Sequence, residues 1–427
     1  MFSPATIEAT KNQNYSTINN DHTKVLEERY GARTYERINL VVRRAKGCWL
    51  YDGADNEYLD CLAAYSAANL GHHHPAVVNA AVEALQNCYG GVISNVVYND
   101  ALGLFLSKVS DFIPQLGKRF GASGNKALPK NGGVESVETA IKAMRYYGFK
   151  ARGIEDGKQE IIVFDGSFHG RTITAVSFSK HTKNKKGFGT PSSGFASVPF
   201  GDIEAVSKNI NANTCGILVE PIQGEGGVNV PPAGFMKGLR ELCDMHDLLL
   251  ICDEIQVGLG RTGKNFCFEH DDITPDGVVL GKALSGGLTP LSVFACNASL
   301  MDLVFSEGSD GSTYGGYPLA CITGIAAIDV LTKEKIADKS AMQGQLLKTR
   351  LEVLAERSDR IKEVRGKGLF LGIEVSDGKA MTYCAELLKF GIVANDSNKK
   401  TIRITPPLII TDREIDFLME GLESVLS

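Results

Sequence analysis

Residues 248–256 have the sequence Leu-Leu-Leu-Ile-Cys-Asp-Glu-Ile-Gln, in which an apolar run is followed by two acids. A short, continuous apolar run bounded by polar residues is typical of a strand that is buried on both faces. Further apolar runs occupy residues 161–164, 216–219 and 278–280, and helical patterns separate several of them, as at residues 232–247. Buried strands that alternate with helices predict an α/β fold with a mostly parallel, doubly wound sheet.

Other parts of the chain have different patterns. Residues 48–62 predict a strand hairpin, and a long helical stretch covers residues 337–357. Residues 368–375 and 401–405 have strand-like sequences, and the segment from Thr411 to Glu414 is a capping box that opens an amphipathic helix. Because one core rarely serves 427 residues, we expect two domains, the second a smaller α+β unit.

Composition and charge exclude several classes of protein. The formal net charge is −5, and the basic residues form no stripe beyond a short lysine cluster at residues 180–186. We interpret that cluster as a solvated loop and expect no nucleic-acid partner. The ten cysteines include no Cys-x-x-Cys pair, which favours a reducing compartment. Since no signal-peptide pattern is present and no apolar run could span a bilayer, we expect a cytoplasmic protein without a membrane partner.

A glycine pair opens a predicted helix at residues 131–138, Asn-Gly-Gly-Val-Glu-Ser-Val-Glu. The apolar face of this helix would be formed by Val137, Ala140, Ile141 and Met144. Free amides at a helix start form an anion site, and glycine lets a phosphate approach the backbone. The pattern fits a phosphate site, and it also fits an ordinary helix start.

Two of the predicted strands end in residues that can carry chemistry, at the edge where ligands of open α/β sheets bind. Asp253 could pair there with a cofactor cation or a metal, or only cap the following turn. Lys282 follows the run at 278–280 and is flanked by small residues, so desolvation should lower its pKa and make the amine a nucleophile. The alternative is an exposed loop lysine. A phosphate site, a strand-end acid and a strand-end lysine together indicate a pyridoxal phosphate site.

Several segments of the sequence resemble the class III aminotransferases, which have fold type I. The segments are residues 65–69 (YSAAN), 168–172 (FHGRT), 220–225 (EPIQGE), 253–256 (DEIQ), 281–287 (GKALSGG) and 311–316 (GSTYGG). The resemblance covers nearly the whole chain from about Tyr30, and within the family it is strongest to the ornithine aminotransferases. It implies a large cofactor domain at residues 80–334. It also implies a small domain built from residues 335–427 and from part of residues 1–79, which include an N-terminal arm.

The resemblance implies that the cofactor is pyridoxal 5'-phosphate. Lys282 would hold the cofactor aldehyde covalently and later shuttle a proton. Asp253 would keep the pyridine nitrogen protonated, so that the ring can accept electrons from the substrate. Phe168 would stack on the ring, and Gln256 would contact the phenolic oxygen.

The resemblance also implies that two subunits bind the cofactor phosphate. Gly133 and Val134 would donate backbone amides to it. Gly132 belongs to the same turn, but it stands where the family usually has a serine or threonine, so one hydroxyl contact would be missing. Thr313 would reach the phosphate of the other subunit, which makes a homodimer the functional unit.

For the substrates, the resemblance implies a carboxylate anchor and a gate. Arg171 would be the anchor, since a planar guanidinium binds carboxylate in a bidentate way. Glu225 would neutralise Arg403 while a diamine is bound, and would move aside when Arg403 binds the second carboxylate of glutamate or 2-oxoglutarate. Tyr35 matches a position that contacts the α-amino group, and Tyr65 a bulky position beside it. The alternatives are a surface ion pair for Arg403 and core positions for the tyrosines.

The implied reaction moves the δ-amino group of L-ornithine to 2-oxoglutarate in a ping-pong cycle, and gives glutamate semialdehyde and glutamate. Leu70, Asn95 and Tyr317 depart from residues that are usual in ornithine aminotransferases, so acetylornithine, lysine, 4-aminobutyrate and β-alanine are alternative donors. Racemases and mutases share the fold, but they have no second substrate for a Glu225–Arg403 gate to accommodate. A non-catalytic binding protein is a further alternative.

Three consecutive histidines, His72, His73 and His74, could suggest a metal site. Consecutive side chains do not readily face one ion, and the family has a similar histidine pattern at this position. We therefore expect a structural role for these histidines and no metal.

Overall fold

The computed structural model describes residues 20–179 and 185–427. Residues 1–19 of the predicted N-terminal arm and residues 180–184 of the lysine cluster lie outside the described residues. The strands are, in chain order, β1 Arg44–Lys46, β2 Trp49–Tyr51, β3 Glu57–Asp60, β4 Asn125–Lys130, β5 Glu160–Phe164, β6 Phe195–Val198, β7 Thr214–Val219, β8 Leu249–Asp253, β9 Gly277–Leu280, β10 Ser292–Asn297, β11 Ile361–Lys367, β12 Phe370–Val375, β13 Ile392–Val393, β14 Asn395–Ser397 and β15 Thr401–Ile404.

The α-helices that position these strands are α1 Asn20–Tyr30, α2 Pro75–Gln86, α3 Asp100–Phe112, α4 Gly133–Lys150, α5 Ile173–Ser177, α6 Ile203–Asn209, α7 Phe235–His246, α8 Ala298–Val304, α9 Pro318–Lys333, α10 Ile336–Glu356, α11 Ala380–Lys389 and α12 Asp412–Leu426. A separate turn at Ala63–Ser66 is described with the site. Among the described residues, no helix combines the length and the apolar character that crossing a membrane would require.

The central sheet has the strand order β4-β10-β9-β8-β7-β5-β6. Strands β9, β8, β7, β5 and β6 pair in parallel, and β10 lies antiparallel between β9 and β4. Within the described residues β10 is therefore the reversed strand of an otherwise parallel sheet. The apolar runs of the sequence form β5, β7, β8 and β9, and the predicted mostly parallel sheet is confirmed.

Burial on both faces explains the continuous apolar sequences of these strands. Every residue of β7, β8, β9 and β10 is buried. Helix α4 packs against the sheet with its predicted apolar face, Val137, Ala140, Ile141 and Met144, each of which is at most 2 % exposed. The sheet and this helix form a rigid support for the residues that follow the strand ends.

Two smaller sheets combine segments that are far apart in the chain. The first has the order β1-β2-β3-β13, in which β2 and β3 form the predicted hairpin and β3 pairs in parallel with β13, Leu59 opposite Ile392. The second, β11-β12-β15-β14, is antiparallel. Helix α12 begins with the predicted capping box, in which Glu414 accepts a hydrogen bond from the Thr411 amide at 2.9 Å. The domain boundaries near residues 80 and 334 remain predictions.

The carboxyl ends of the parallel strands lie at one edge of the central sheet. Chemistry-bearing residues follow several of these ends: Gly133 after β4, Phe168 after β5, Glu220 after β7, Asp253 at the end of β8 and Lys282 after β9. Because parallel strands end at the same edge, the fold brings these residues together.

Candidate active site

The residues that follow the strand ends enclose a pocket of about 610 Å³, counted with its open mouth. Its lining consists of Gly133, Val134, Phe168, His169, Gly170, Glu220, Asp253, Ile255, Gln256, Val257 and Lys282. Most of the residues predicted to hold a cofactor are therefore brought together here.

Lys282 lies at the strand end in an unusual backbone conformation. It begins a short 3-10 helix, Lys282–Ser285, with a φ of +46°, in the left-handed region that residues other than glycine rarely adopt. Burial lowers the pKa of its amine to about 8, an effect that the charge of Glu225 opposes and the charge of Arg403 reinforces. More of this amine is unprotonated near neutral pH than in an ordinary lysine, so it is a better nucleophile.

Asp253 and His169 form a buried pair in the pocket wall. Oδ2 of Asp253 lies 2.7 Å from Nδ1 of His169, and Oδ1 accepts a hydrogen bond from the Ile255 amide at 3.1 Å. Burial alone would lower the pKa of His169, but the hydrogen bond to Asp253 and its charge outweigh burial, and the pKa is raised. The Asp253 carboxylate is thus fixed on both of its oxygens.

Glu220 is a second buried carboxyl in the pocket wall, directly after β7. Its Oε2 accepts a hydrogen bond from the Phe168 amide at 2.8 Å, and so fixes the backbone that carries the Phe168 ring. Burial raises the pKa of Glu220 to about 7, while the charge of His169 opposes this rise and the charge of Asp253 adds to it. Glu220 and His169 have no role that the sequence alone predicts. The signal that could have found Glu220 is its place after an apolar run, the same signal that marked Asp253.

The start of α4 contributes two backbone amides to the pocket. Gly133 and Val134 are the first residues of the helix, so their amides have no acceptor within it. The amide of Gly132, at the exposed N-cap, instead donates to Oε2 of Glu135 at 2.5 Å. A Cβ on Gly133 would lie 2.9 Å from Cδ1 of Ile255, so a side chain at this position would collide with the pocket wall. The helix start can hold an anion.

Glu225 and Arg403 form an ion pair whose charges act on Lys282, although neither residue is among those that line the pocket. Nη1 of the fully buried Arg403 donates to Oε1 of Glu225 at 2.5 Å, and Gln256 donates to the same oxygen at 3.3 Å. Burial would raise the pKa of Glu225, but the charge of Arg403 and its hydrogen bond hold this pKa below its usual value. Nε and Nη2 of Arg403 have no hydrogen-bond partner among the described residues, so the guanidinium retains donors for a second acceptor. The alternative of a surface ion pair for Arg403 is excluded.

Tyr65 lies on a strained turn and contacts Arg403. The residues of the turn Ala63–Ser66 all have positive φ values, between +43° and +75°, which costs free energy in residues other than glycine. The centre of the Tyr65 ring lies 4.9 Å from the guanidinium carbon of Arg403, and Asn395 donates to the tyrosine hydroxyl at 3.3 Å. Two contacts therefore hold Tyr65 beside the ion pair.

Arg171, Tyr35 and Thr313 lie at the protein surface and do not line the pocket. The guanidinium carbon of Arg171 is 5.2 Å from the centre of the Tyr35 ring, and both side chains are exposed. Thr313 is exposed on the loop between α8 and α9. An outward position is where a residue that serves a second subunit would lie.

The consecutive histidines contact three different partners instead of one ion. The distances are 2.7 Å from His72 Nε2 to Asp60 Oδ2, 2.9 Å from His73 Nδ1 to the Ala45 carbonyl, and 3.2 Å from His74 Nε2 to Glu334 Oε1. Elsewhere in the described part of the chain, no group of histidine, cysteine, aspartate or glutamate side chains is arranged to hold a metal.

Comparison with known proteins assigns the family. The model of the class III aminotransferase family matches residues 30–426. The chain is a class III aminotransferase. Among curated proteins, this aminotransferase is 43 % identical over 400 residues to ornithine aminotransferase 2 of Staphylococcus aureus, an alignment that covers 94 % of this chain and 97 % of the relative.

Solved structures agree with this family. The ornithine aminotransferase of Toxoplasma gondii superposes with a TM-score of 0.91 at 32 % identity, over 100 % of this aminotransferase and 98 % of the other chain. The acetylornithine aminotransferase of Elizabethkingia anophelis superposes with a TM-score of 0.84 at 36 % identity, over 96 % and 99 % of the two chains. The predicted fold type I architecture is confirmed.

Class III aminotransferases depend on pyridoxal phosphate, and the pocket fits that group. The free amides of Gly133 and Val134 suit a phosphate, and the buried carboxylate of Asp253 suits a ring cation. The Lys282 amine, with its lowered pKa, suits an aldehyde. The enzyme therefore has residues that suit the phosphate, the ring nitrogen and the aldehyde of the cofactor.

Proposed function

We propose that this aminotransferase moves the δ-amino group of L-ornithine to 2-oxoglutarate, and releases glutamate semialdehyde and glutamate in a ping-pong cycle. The observation that carries the proposal is the ion pair between Glu225 and Arg403. One site must accept both a donor with a positively charged side chain and an acceptor with two carboxylates. A charge pair that can open meets both needs. Relatives named ornithine aminotransferase support this donor.

We infer that pyridoxal 5'-phosphate occupies the pocket. When bound there, it supplies an electron sink for the negative charge that develops on the substrate carbon. The amides of Gly133 and Val134 would hold its phosphate, and Asp253 would pair with its ring nitrogen. Phe168 would stack on its ring, and Gln256 would contact its phenolic oxygen. The similar Toxoplasma enzyme has pyridoxal phosphate at partial occupancy in its active site.

Lys282 carries the covalent attachment and the proton transfer in this proposal. With a pKa of about 8, its amine can attack an aldehyde near neutral pH. When it is not holding the cofactor, the Lys282 amine would be able to move a proton at the substrate carbon. The bond from His169 fixes the Asp253 carboxylate, which would pair with the ring nitrogen of the cofactor.

The substrates are distinguished by their charges. Arg171 binds the carboxylate next to the amino group that stays on ornithine, and Tyr35 beside it contacts that amino group. While ornithine is bound, Glu225 neutralises Arg403. When 2-oxoglutarate enters, Glu225 moves aside and Arg403 uses its unpartnered donors for the second carboxylate. Tyr65 limits the width of the site beside Arg403.

A homodimer completes the site in this proposal, because Thr313 of one subunit reaches the cofactor phosphate of the other. The chain has an apolar surface that supports such an interface. Val96 and Tyr98 are 90 % and 105 % exposed, and Val92 and Val97 nearby are about half exposed. Apolar side chains exposed in one segment are typical of a protein contact.

N-acetylornithine is the second candidate donor. The acetylornithine aminotransferase of Elizabethkingia has similar coverage and slightly higher identity than the Toxoplasma enzyme. Tyr35 and Tyr65 favour free ornithine, because they match the position that contacts the α-amino group in ornithine aminotransferases and the bulky position beside it. Lysine, 4-aminobutyrate and β-alanine are the other ω-amino donors to compare.

The test is a half-reaction followed by the visible absorbance of the bound cofactor. The purified yellow enzyme is mixed with each donor in turn, without an acceptor. Rapid bleaching by ornithine, reversed by 2-oxoglutarate, is the expected result. Faster bleaching by N-acetylornithine or another donor would replace ornithine and keep the mechanism. A protein without visible absorbance would contradict the cofactor proposal itself.

An Arg403→Gln variant tests the gate separately. It should still be bleached by ornithine, which has no second carboxylate for Arg403 to bind. Recovery of the colour by 2-oxoglutarate should need a much higher concentration, about a hundredfold. Equal losses in both half-reactions would contradict the gate. Arg357→Gln is a control, because Arg357 pairs with Glu423 at 2.8 Å at the protein surface.

A further inference from the structure

The loop that carries Thr313, residues 306–317, is fastened to the central sheet by charged residues. Lys130, the last residue of β4, forms an ion pair with Asp310. Lys142 of α4 donates to the same carboxylate at 2.9 Å. We name Lys130, Lys142 and Asp310 the loop anchor.

The loop anchor also binds the backbone of the loop. Lys130 donates to the carbonyl of Gly311 at 2.9 Å, and Lys142 donates to the carbonyl of Ser309 at 2.7 Å. Contacts thus reach the loop on both sides of Asp310. Only a short piece of backbone separates the anchored carbonyl of Gly311 from Thr313.

The inner part of the loop anchor is buried, although the loop itself lies at the surface. The side chains of Lys130 and Asp310 are 5 % and 8 % exposed, whereas Lys142 is 50 % exposed. Burial would raise the pKa of Asp310, but the hydrogen bonds from both lysines lower it. A buried ion pair fixes geometry, because removal of one partner leaves the other charge unpaired.

Ser312, the residue before Thr313, is also held by hydrogen bonds. The carbonyl of Ser312 accepts a hydrogen bond from Asn95 at 2.8 Å, and its hydroxyl oxygen accepts one from Asn131 at 3.0 Å. Asn95 belongs to the exposed apolar segment that supports the dimer interface. The backbone is therefore fixed up to the residue before Thr313, and Thr313 is presented outward.

We propose that Lys130, Lys142 and Asp310 position Thr313 for the cofactor phosphate of the partner subunit. These are positioning residues, since none of them lines the pocket. The inference rests on the proposed dimer and on the proposed role of Thr313. The loop anchor acts in trans: it belongs to one chain and serves the site of the other chain.

The first test compares cofactor affinity in three variants of the holoenzyme, measured as the dissociation constant for pyridoxal phosphate. Thr313→Ala and Asp310→Asn should each weaken binding about tenfold or more, because a charge-assisted contact to the phosphate is lost or misplaced. Asp302→Asn is the matched control and should bind normally. Asp302 pairs with Lys126 on the same strand at 2.5 and 2.7 Å, but at the surface.

A second readout follows the loop in the protein without cofactor. Hydrogen exchange of residues 306–317 should be faster in Asp310→Asn than in the control. Lys142→Gln is a milder variant if Asp310→Asn does not fold, because the buried pair of Lys130 with Asp310 remains. It should loosen the loop and weaken cofactor binding less than Asp310→Asn does.

Mixed dimers separate action in trans from a general loss of structure. When Lys282→Ala is on one chain and Asp310→Asn on the other, the only site with a lysine receives an intact loop, so wild-type affinity is expected there. When both changes are on one chain and the partner is wild type, the only site with a lysine receives the altered loop. That dimer should lose its visible absorbance on dialysis about tenfold more readily.

Several other outcomes would each contradict a different part of the inference. Normal affinity in Thr313→Ala would remove the proposed role of Thr313, and the inference with it. A weakened Thr313→Ala together with a normal Asp310→Asn would leave Thr313 in place and overturn the loop anchor alone. Weaker cofactor binding in the first mixed dimer alone would show that Asp310 acts within its own chain. Equal weakening in both mixed dimers would show a general loss of structure, and either result would contradict action in trans.

Discussion

Nη1 of Arg403 lies 2.5 Å from Oε1 of Glu225, and this pair joins a fully buried guanidinium to a carboxylate that is 29 % exposed. The partial exposure of Glu225 leaves it room to move, while Arg403 is fixed in the strand β15. Glu225 can therefore move away from the pair, whereas Arg403 stays in place and can bind a second acceptor.

Glu225→Ala should shift the preference of the enzyme from ornithine toward glutamate. Without Glu225, the Arg403 charge is always available to a second carboxylate and always repels a cationic side chain. The ratio of kcat/KM for glutamate to that for ornithine should rise about tenfold or more in the two half-reactions. Glu423→Ala, which breaks the surface pair of Arg357 with Glu423, should leave the ratio unchanged. An unchanged ratio in Glu225→Ala would refute the gate.

The rate of cofactor uptake by the cofactor-free enzyme should depend on pH through Lys282. The unprotonated amine is the reacting form, and burial lowers its pKa to about 8. Uptake should therefore rise about tenfold per pH unit below this value and level off above it, in a stopped-flow measurement of visible absorbance. A rate that keeps rising to about pH 10, the range of an ordinary lysine, would contradict the lowered pKa.

Asp253→Asn should slow turnover about a hundredfold or more, because the ring nitrogen would lose the charge that keeps it protonated. The fold should persist, since asparagine can still bond His169. Glu254→Gln is the neighbouring control. Glu254 accepts hydrogen bonds from the amides of Cys267 and Phe268 at 2.8 and 2.9 Å and does not line the pocket. That variant should lose thermal stability and keep its turnover, and the reverse pattern would refute the assignment.

Gly132→Ser should tighten cofactor binding about fivefold, because the added hydroxyl can reach the phosphate site at the start of α4. The backbone permits the change: φ is −79° and ψ is 145°, and a Cβ would meet only Oε2 of Glu135, at 3.5 Å. Gly132→Ala provides the control without a hydroxyl. Equal dissociation constants for the serine and alanine variants would show that no hydroxyl contact forms.

The central sheet and the strand-end residues could be predicted from the sequence because their signals are local. An apolar run such as residues 248–252 predicts a buried strand without any other information. Parallel strands then bring Asp253 and Lys282 to the same edge of the central sheet. The sequence signal for the start of α4 is also local, because Gly133 directly precedes a periodic apolar face.

The rest of the site depends on contacts between distant parts of the chain. Nothing near Glu220 in the sequence indicates that it bonds the amide of Phe168. The buried Arg261 likewise donates to the carbonyls of Leu369 and Pro406, at 2.9 and 2.6 Å, which only the assembled fold places beside it. The left-handed turn Ala63–Ser66 contains no glycine and so carries none of the usual sequence signals for positive φ.

The parallel pairing of β3 with β13 sets an order of events during synthesis. Leu59 and Asp60 emerge from the ribosome before the whole central sheet, but their strand partners, Ile392 and Val393, emerge after it. Until then the hairpin β2–β3 presents an open edge, and open edges recruit other strands. The central sheet between them has time to fold first. A nascent chain stalled before residue 392 would therefore combine a folded central sheet with an unpaired strand edge, which favours association with other chains.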